Sequence, residues 1–177
     1  MHIRVVPYDP EWPRRANAAI AELTTALPGL FREIEHLGST SVPGLAAKPI
    51  IDLMAAVDDL DVAVDREHTL AALGYHRADN GMPDRLFYPR ADGSGRRTHH
   101  LHVVRAAEWD DQNERILRDY LRTHPDAAAE YAALKQQLAA EVSDPDTYTR
   151  RKTDLIQRLV DAARTDLGLP LVPVWIE

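Results

Sequence analysis

Apolar and polar positions along the chain divide it into short strand-like runs and longer helical ones. Glu11 to Leu27 is Ala-rich, has Pro13 early and meets Pro28-Gly29 at its end, which predicts a first helix. Ile34–Leu37 and Ile50–Val57 are apolar runs of strand length, the second opening behind Pro49. From Leu60 to Leu73, Leu60, Val64, Leu70 and Leu73 fall partly on one helical face, and Gly74 is the stop. Tyr75–Arg77 reads as a short strand. Arg85–Pro89 and Thr98–Val104 flank Asp-Gly and Ser-Gly turn chemistry and read as a hairpin. From Glu108 the pattern is helical, with breaks at His124-Pro125 and Asp144-Pro145 that divide it into three helices, and Asp144 is placed to cap the last. The Pro-rich end, LGLPLVPVWIE, is expected to run over the surface or to seat Trp175 in a groove.

This order predicts an α+β fold: a small mixed β-sheet flanked by helices, followed by a helical carboxyl-terminal half. A chain of 177 residues suits a single domain spanning residues 1–177. No apolar run approaches the roughly 20 residues that span a bilayer, and the amino-terminal stretch lacks a signal-peptide core, so no membrane association and a cytoplasmic location are expected. The absence of cysteine excludes disulfides, thiolate nucleophiles and Cys-type zinc sites. A formal charge of −7 argues against a broad nucleic-acid surface, which needs many cations facing phosphates. That argument leaves room for a local basic patch.

Asp52 is the first candidate for chemistry, because an acid within an otherwise apolar strand is costly without a cation or hydrogen-bond donors. It ends a segment in which Gly38-Ser39 follows one strand and Asp52 sits on the next. That arrangement resembles the signature of the nucleotidyltransferase superfamily, with Asp52 at the second acid of the Asp-x-Asp pair and Ile50 at the first. Within it, GSTSVPGLAAKPIIDL, together with VVPYDPEWP, RTHHLHVV and RDYLRTHPDAAAEYAALKQQLA, resembles the GrpB (UPF0157) family. The resemblance implies a nucleotidyltransferase-like sheet, and phosphate binding at Gly38, Ser39, Thr40 and Lys48. Arg118, Asp119, Tyr120, Tyr131, Lys135, Tyr148 and Lys152 also match that family's pattern. In some bacteria a domain of this family is fused to dephospho-CoA kinase.

In RTHHLHVV the two-residue period of a strand turns His100 and His102 to one side and His99 to the other. The pair suits a metal site or acid/base work, with Asp52 as a further ligand and Glu35 or His36 to complete the set. One Asp with one or two His favours a single divalent ion such as Zn²⁺ or Mn²⁺ over the carboxylate-held Mg²⁺ pair of nucleotidyl transfer. The competing reading makes the histidines hydrogen-bonded strand residues. Lys48 reads as a phosphate contact or as a salt bridge to Asp52 or Glu35. Arg85, and less so Arg96-Arg97, are candidates for an anion-binding wall. Tyr131 and Lys135 share a helix face, and Lys135 with Lys152 would form a cationic wall opposite Asp52.

The leading functional expectation is a nucleotidyltransferase-fold protein that binds a nucleoside triphosphate or related phosphorylated ligand, with one divalent metal (Mg, Mn or Zn), and acts on a small-molecule acceptor. Asp52, His100 and His102 are its candidate catalytic residues. The missing acid at Ile50 keeps a non-catalytic module for a CoA- or nucleotide-related ligand as the alternative. A zinc-dependent hydrolase using the same Asp and His residues stands third.

Overall fold

A computed structural model describes residues 4–174 of the chain, so the expectation for Trp175 lies outside the described residues. Four strands, β1 (Glu33–Leu37), β2 (Ile51–Val57), β3 (Leu86–Ala91) and β4 (Arg97–Arg105), form one sheet in the order β1-β2-β4-β3. Only β2 and β4 run parallel; β1 pairs antiparallel with β2, and β3 with β4. The sheet is therefore mixed, and the α+β expectation holds.

One face of the sheet is apolar and packs against helix α1 (Glu11–Ala26). Leu53, Ala55, Leu101, Val103 and Tyr88 meet Trp12, Ala16 and Leu23 there, all of them buried. Each buried Leu or Val among them contributes on the order of 1.5–3 kcal/mol by leaving water. Strand register decides what stands on the opposite face: Leu37 pairs with Asp52, Asp52 with His100, Met54 with His102, and His102 with Phe87. This second face carries the polar residues and is covered by the helical half.

That half comprises α4 (Asn113–Thr123), α5 (Pro125–Glu141) and α6 (Pro145–Asp166). Leu117 and Leu121 of α4, Tyr131 of α5, and Leu155, Ile156 and Leu159 of α6 close a second core. Val42 and Leu45, from the loop after β1, are buried in it. The Asp144 carboxylate accepts from the Thr147 backbone N–H at 3.0 Å, capping α6 as expected. Such a cap is worth about 1 kcal/mol.

Local differences from the sequence reading have local causes. The helix expected over Leu60–Leu73 is two short ones, α2 (Leu60–Val64) and α3 (Glu67–Ala72), with Asp65-Arg66 turning between them. Tyr75–Arg77 is not a strand. Gly74, at φ +94°, redirects the chain, and the segment then touches β3 only through isolated bridges, Tyr75 to Arg90 and Ala78 to Phe87. Residues Ala106–Asp111 form a 3₁₀ turn before the first helix of the carboxyl-terminal half begins at Asn113.

Candidate functional site

Between the polar sheet face and the helical half lies a cavity of about 400 Å³. Its floor begins at Gly38, which leaves β1 with φ 71° and ψ −173°, a backbone region open essentially to glycine alone. An added Cβ there would stand 2.5 Å from Asp52 Oδ2, so the missing side chain is what lets the turn lie directly against the Asp52 carboxylate. A 3₁₀ turn, Ser39–Ser41, follows. The Ser41 hydroxyl closes it by donating to the Gly38 carbonyl at 2.5 Å, and Thr40 Oγ1 lies 2.8 Å from His36 Nε2.

Cationic side chains from the helical half reach back to this turn. Lys135, buried on α5, donates from Nζ to Ser39 Oγ at 2.7 Å and to the Ala46 carbonyl at 3.4 Å, with its ammonium 4.9 Å from the Tyr131 ring centroid. Arg122 holds the Ser41 carbonyl with two donors, at 3.1 and 2.9 Å. Arg118 donates to the His36 carbonyl at 3.2 Å. Lys48 lies over the Tyr148 ring at 5.6 Å.

Asp52 and His100 face each other across the parallel β2–β4 pair, with Oδ1 and Nδ1 3.4 Å apart. His100 and His102 both flank Phe87, each with ring centroids 5.1 Å from it. Nε2 of His100 and Nδ1 of His102 are shielded from solvent and have no hydrogen-bond partner. A shielded polar atom left unpaired costs about 1–3 kcal/mol. Burial pushes the His102 pKa down, against the opposing pull of Asp52 and Glu114. Burial likewise lowers His36 to about 4, although Asp52 nearby favours its charged form. Both rings are therefore neutral at pH 7.

The structure brings Gly38, Ser39, Thr40, Lys48, Asp52, His100, His102, Lys135 and Lys152 together around the one cavity. Two sequence candidates stand elsewhere. Arg85 does not line the cavity: its guanidinium is buried and spends its donors on Glu114 at 2.7 Å and Gln112 at 3.0 Å, which makes it a strut between the start of β3 and α4. Glu35 does not line the cavity either: Arg118 and Arg115 hold its two oxygens at 2.7 and 3.1 Å. Burial acts to raise the Glu35 pKa, and the hydrogen bonds from Arg118 and Arg115 outweigh it and hold the carboxyl below its usual range.

With Glu35 so engaged, the four-residue metal set read from the sequence is not assembled. Among the described residues no three His, Asp or Glu side chains converge as a metal site. Sequence reasoning passed over Phe87 and Met82, which line the cavity. For Phe87 the signal was available, because the hairpin that turns His102 to one face turns its cross-strand neighbour with it. Arg97, the weaker arginine candidate in the sequence, lines the cavity in place of Arg85.

A family model described as GrpB protein matches residues 2–162. A UPF0157 protein of Pseudomonas aeruginosa is 38% identical over 177 residues, spanning 96% of this chain and 71% of its own. The dephospho-CoA kinase of Mycolicibacterium paratuberculosis is 34% identical over 176 residues, 85% of this chain but only 43% of that enzyme's length. Among solved structures, the conserved protein GrpB of Enterococcus faecalis superposes with a TM-score of 0.83 at 29% identity, covering 93% of this chain and 99% of that one. Terminal uridylyl transferase 4 of Trypanosoma brucei, with bound dUTP, superposes with a TM-score of 0.56 at 10% identity, over 94% of this chain and 57% of that one. At that identity the likeness is one of fold, and the fold is nucleotidyltransferase-like.

Proposed function

The chain belongs to the GrpB family, and we propose that its cavity binds a phosphorylated ligand of nucleotide size and acts on a small-molecule acceptor. One observation carries this reading. A glycine turn pressed against the Asp52 carboxylate is met from the far side by the Lys135 ammonium, 2.7 Å from Ser39 Oγ. Backbone N–H groups of a tight turn, hydroxyls and an ammonium are the donors that phosphate oxygens take. Lys48 and Lys152 add positive charge to the same wall.

The donor set suits a divalent cation of the Mg²⁺ kind better than an ion caged by protein alone. Mg²⁺ accepts one or two carboxylates and completes its shell with ligand phosphate oxygens and water. Asp52 is the residue that would hold it, and the ion would neutralise phosphate charge there. Transfer to an acceptor hydroxyl forms a new O–P bond and breaks the P–O bond to the leaving phosphate, which departs with the electron pair, while the acceptor proton passes to solvent. Lys135, Ser39 and Thr40 would bind and orient the phosphates for that displacement.

Calorimetric titration with a non-hydrolysable ATP analogue (AMP-CPP), with and without Mg²⁺, tests the reading. Wild type should bind, Asp52→Asn should lose the Mg²⁺ dependence, and Lys135→Met should weaken binding about tenfold or more. No binding by wild type would refute it. A second reading, a non-catalytic module, is favoured by Ile50 at the first acid position and by the lack of an assembled three-residue metal set among the described residues. It predicts Mg²⁺-independent binding without turnover. The match to a dephospho-CoA kinase makes CoA and dephospho-CoA the competitors to try in the same titration.

A further inference from the structure

The order of strands divides the cavity. The Ser39–Ser41 turn follows β1 at one edge of the sheet, Asp52 and His100 stand on the central strands β2 and β4, and Phe87 stands on β3 at the other edge. Three inter-strand steps separate the two edge strands, about 14 Å at the usual spacing. Lys135, which bonds the turn, comes from α5, and Lys152, which also lines the cavity, from α6. Nothing in the phosphate reading uses the β3 side.

On that side Arg97 places its guanidinium 5.9 Å from the Phe87 ring centroid. It lines the cavity, is exposed to solvent, and makes no ion pair among the described residues. Of the other acids in the cavity wall, Asp79 accepts from the Gly81 backbone N–H at 2.7 Å and Glu114 pairs with Arg85 at 2.7 Å. Beside Arg97 stand the two rings whose shielded nitrogens have no partner, His100 through Nε2 and His102 through Nδ1, both packed on Phe87. Met82 adds an apolar patch. An unpaired cation, two unsatisfied imidazoles and an aromatic wall together describe a receptor for a small polar molecule with one anionic end.

We infer that the β3 side of the cavity is a second subsite, which takes a small hydroxylated anion, a hydroxycarboxylate or hydroxyalkyl phosphate. Arg97 pairs with the anionic group, and its fork geometry suits carboxylate and phosphate alike. The ligand hydroxyl serves the imidazoles, since a hydroxyl both donates and accepts, and the soft second torsion of each ring lets a shielded nitrogen turn toward it. Phe87 and Met82 cover the ligand's carbon skeleton. The inference extends the proposed function, for it names the acceptor that would lie beside Asp52 opposite the phosphates.

The full chain is titrated with glycerate and glycerol 3-phosphate as probes, with propionate and glycerol as controls lacking the hydroxyl or the charge. Binding is read by calorimetry, and as shifts of the His100 and His102 ring signals in NMR. One or both hydroxylated anions should bind and move those signals, with the controls at least about fivefold weaker, or ~1 kcal/mol. Arg97→Ala, a change at an exposed position, should weaken the hydroxylated anion by at least the same factor and leave AMP-CPP affinity within about twofold. If glycerate alone binds, the anionic group is a carboxylate; if glycerol 3-phosphate alone binds, it is a phosphate. Lack of saturable binding by both, or binding indifferent to Arg97→Ala, overturns the subsite. Wild type that binds the hydroxylated anion but no AMP-CPP leaves the subsite standing and removes the phosphate reading on which its role as acceptor site rests.

Discussion

Gly38→Ala is the sharpest test of how the turn and Asp52 are fitted together. Two separable costs arise. The backbone at φ 71° and ψ −173° is a conformation that an L side chain reaches only with strain, about 1–3 kcal/mol. The new methyl group would also meet Asp52 Oδ2 at 2.5 Å and Asp52 Cγ and Cβ at 3.1 Å, all at the crowded junction of β1 and β2. Relieving such overpacking by shifting a side chain or the backbone costs about 1–3 kcal/mol more. The expected loss is therefore about 2–6 kcal/mol, read from urea unfolding followed by circular dichroism with unchanged slope. A double-mutant cycle separates the terms. Asp52→Ala removes the carboxylate that the methyl strikes, so the penalty of Gly38→Ala in that background should shrink by about 1 kcal/mol or more, leaving the backbone part and the 3.1 Å contact with Cβ of residue 52. A penalty below about 1 kcal/mol in the wild-type background, or no coupling between the two positions, would refute the argument that glycine is required for this close approach.

Arg85→Met should destabilise by about 3–5 kcal/mol, because it leaves the Glu114 carboxylate, 13% exposed, without its cation; thermal unfolding checks this. Glu35→Gln should cost about 1–3 kcal/mol at pH 7 by weakening the links to Arg118 and Arg115. The folded-state Glu35 pKa is depressed, so this contribution is present above its ordinary value of 4.5 and is lost as pH falls below it; the gap between wild type and variant in urea midpoints should close on acidification. His36 and His99 act in the same direction as Glu35, over a higher pH window. Burial pushes both down to about 4, so between pH 6.5 and 4 the unfolded chain takes up protons that the folded one refuses, and stability should fall by up to about 1.4 kcal/mol per pH unit for each. Hydrogen-bonding replacement of either ring by Asn should flatten that slope, and an unchanged slope in both variants would count against the burial argument.

Local signals were enough to divide this chain. Proline and glycine punctuation marked the ends of α1, α5 and α6, the two-residue period separated His100 and His102 from His99, and Asp52 announced itself as an acid in an apolar strand. These features depend on backbone geometry a few residues long, so the sequence carries them without reference to the rest of the fold. Which groups share the cavity is a different kind of question. Lys135 reaches Ser39 from 96 residues away, and only the docking of α5 decides that it points into the cavity. Arg85, at the start of the hairpin, read in the sequence as the stronger anion-binding candidate, and Arg97, near its turn, as the weaker. Tertiary packing gives Arg85 a buried acid and leaves Arg97 facing the cavity. Glu35 read as a ligand to complete the Asp and His set because it stands near the end of the first strand, yet α4 supplies two guanidiniums that take both its oxygens. A charged side chain takes its role from the nearest opposite charge, and for these residues that partner lies on a distant element that only the folded chain brings near.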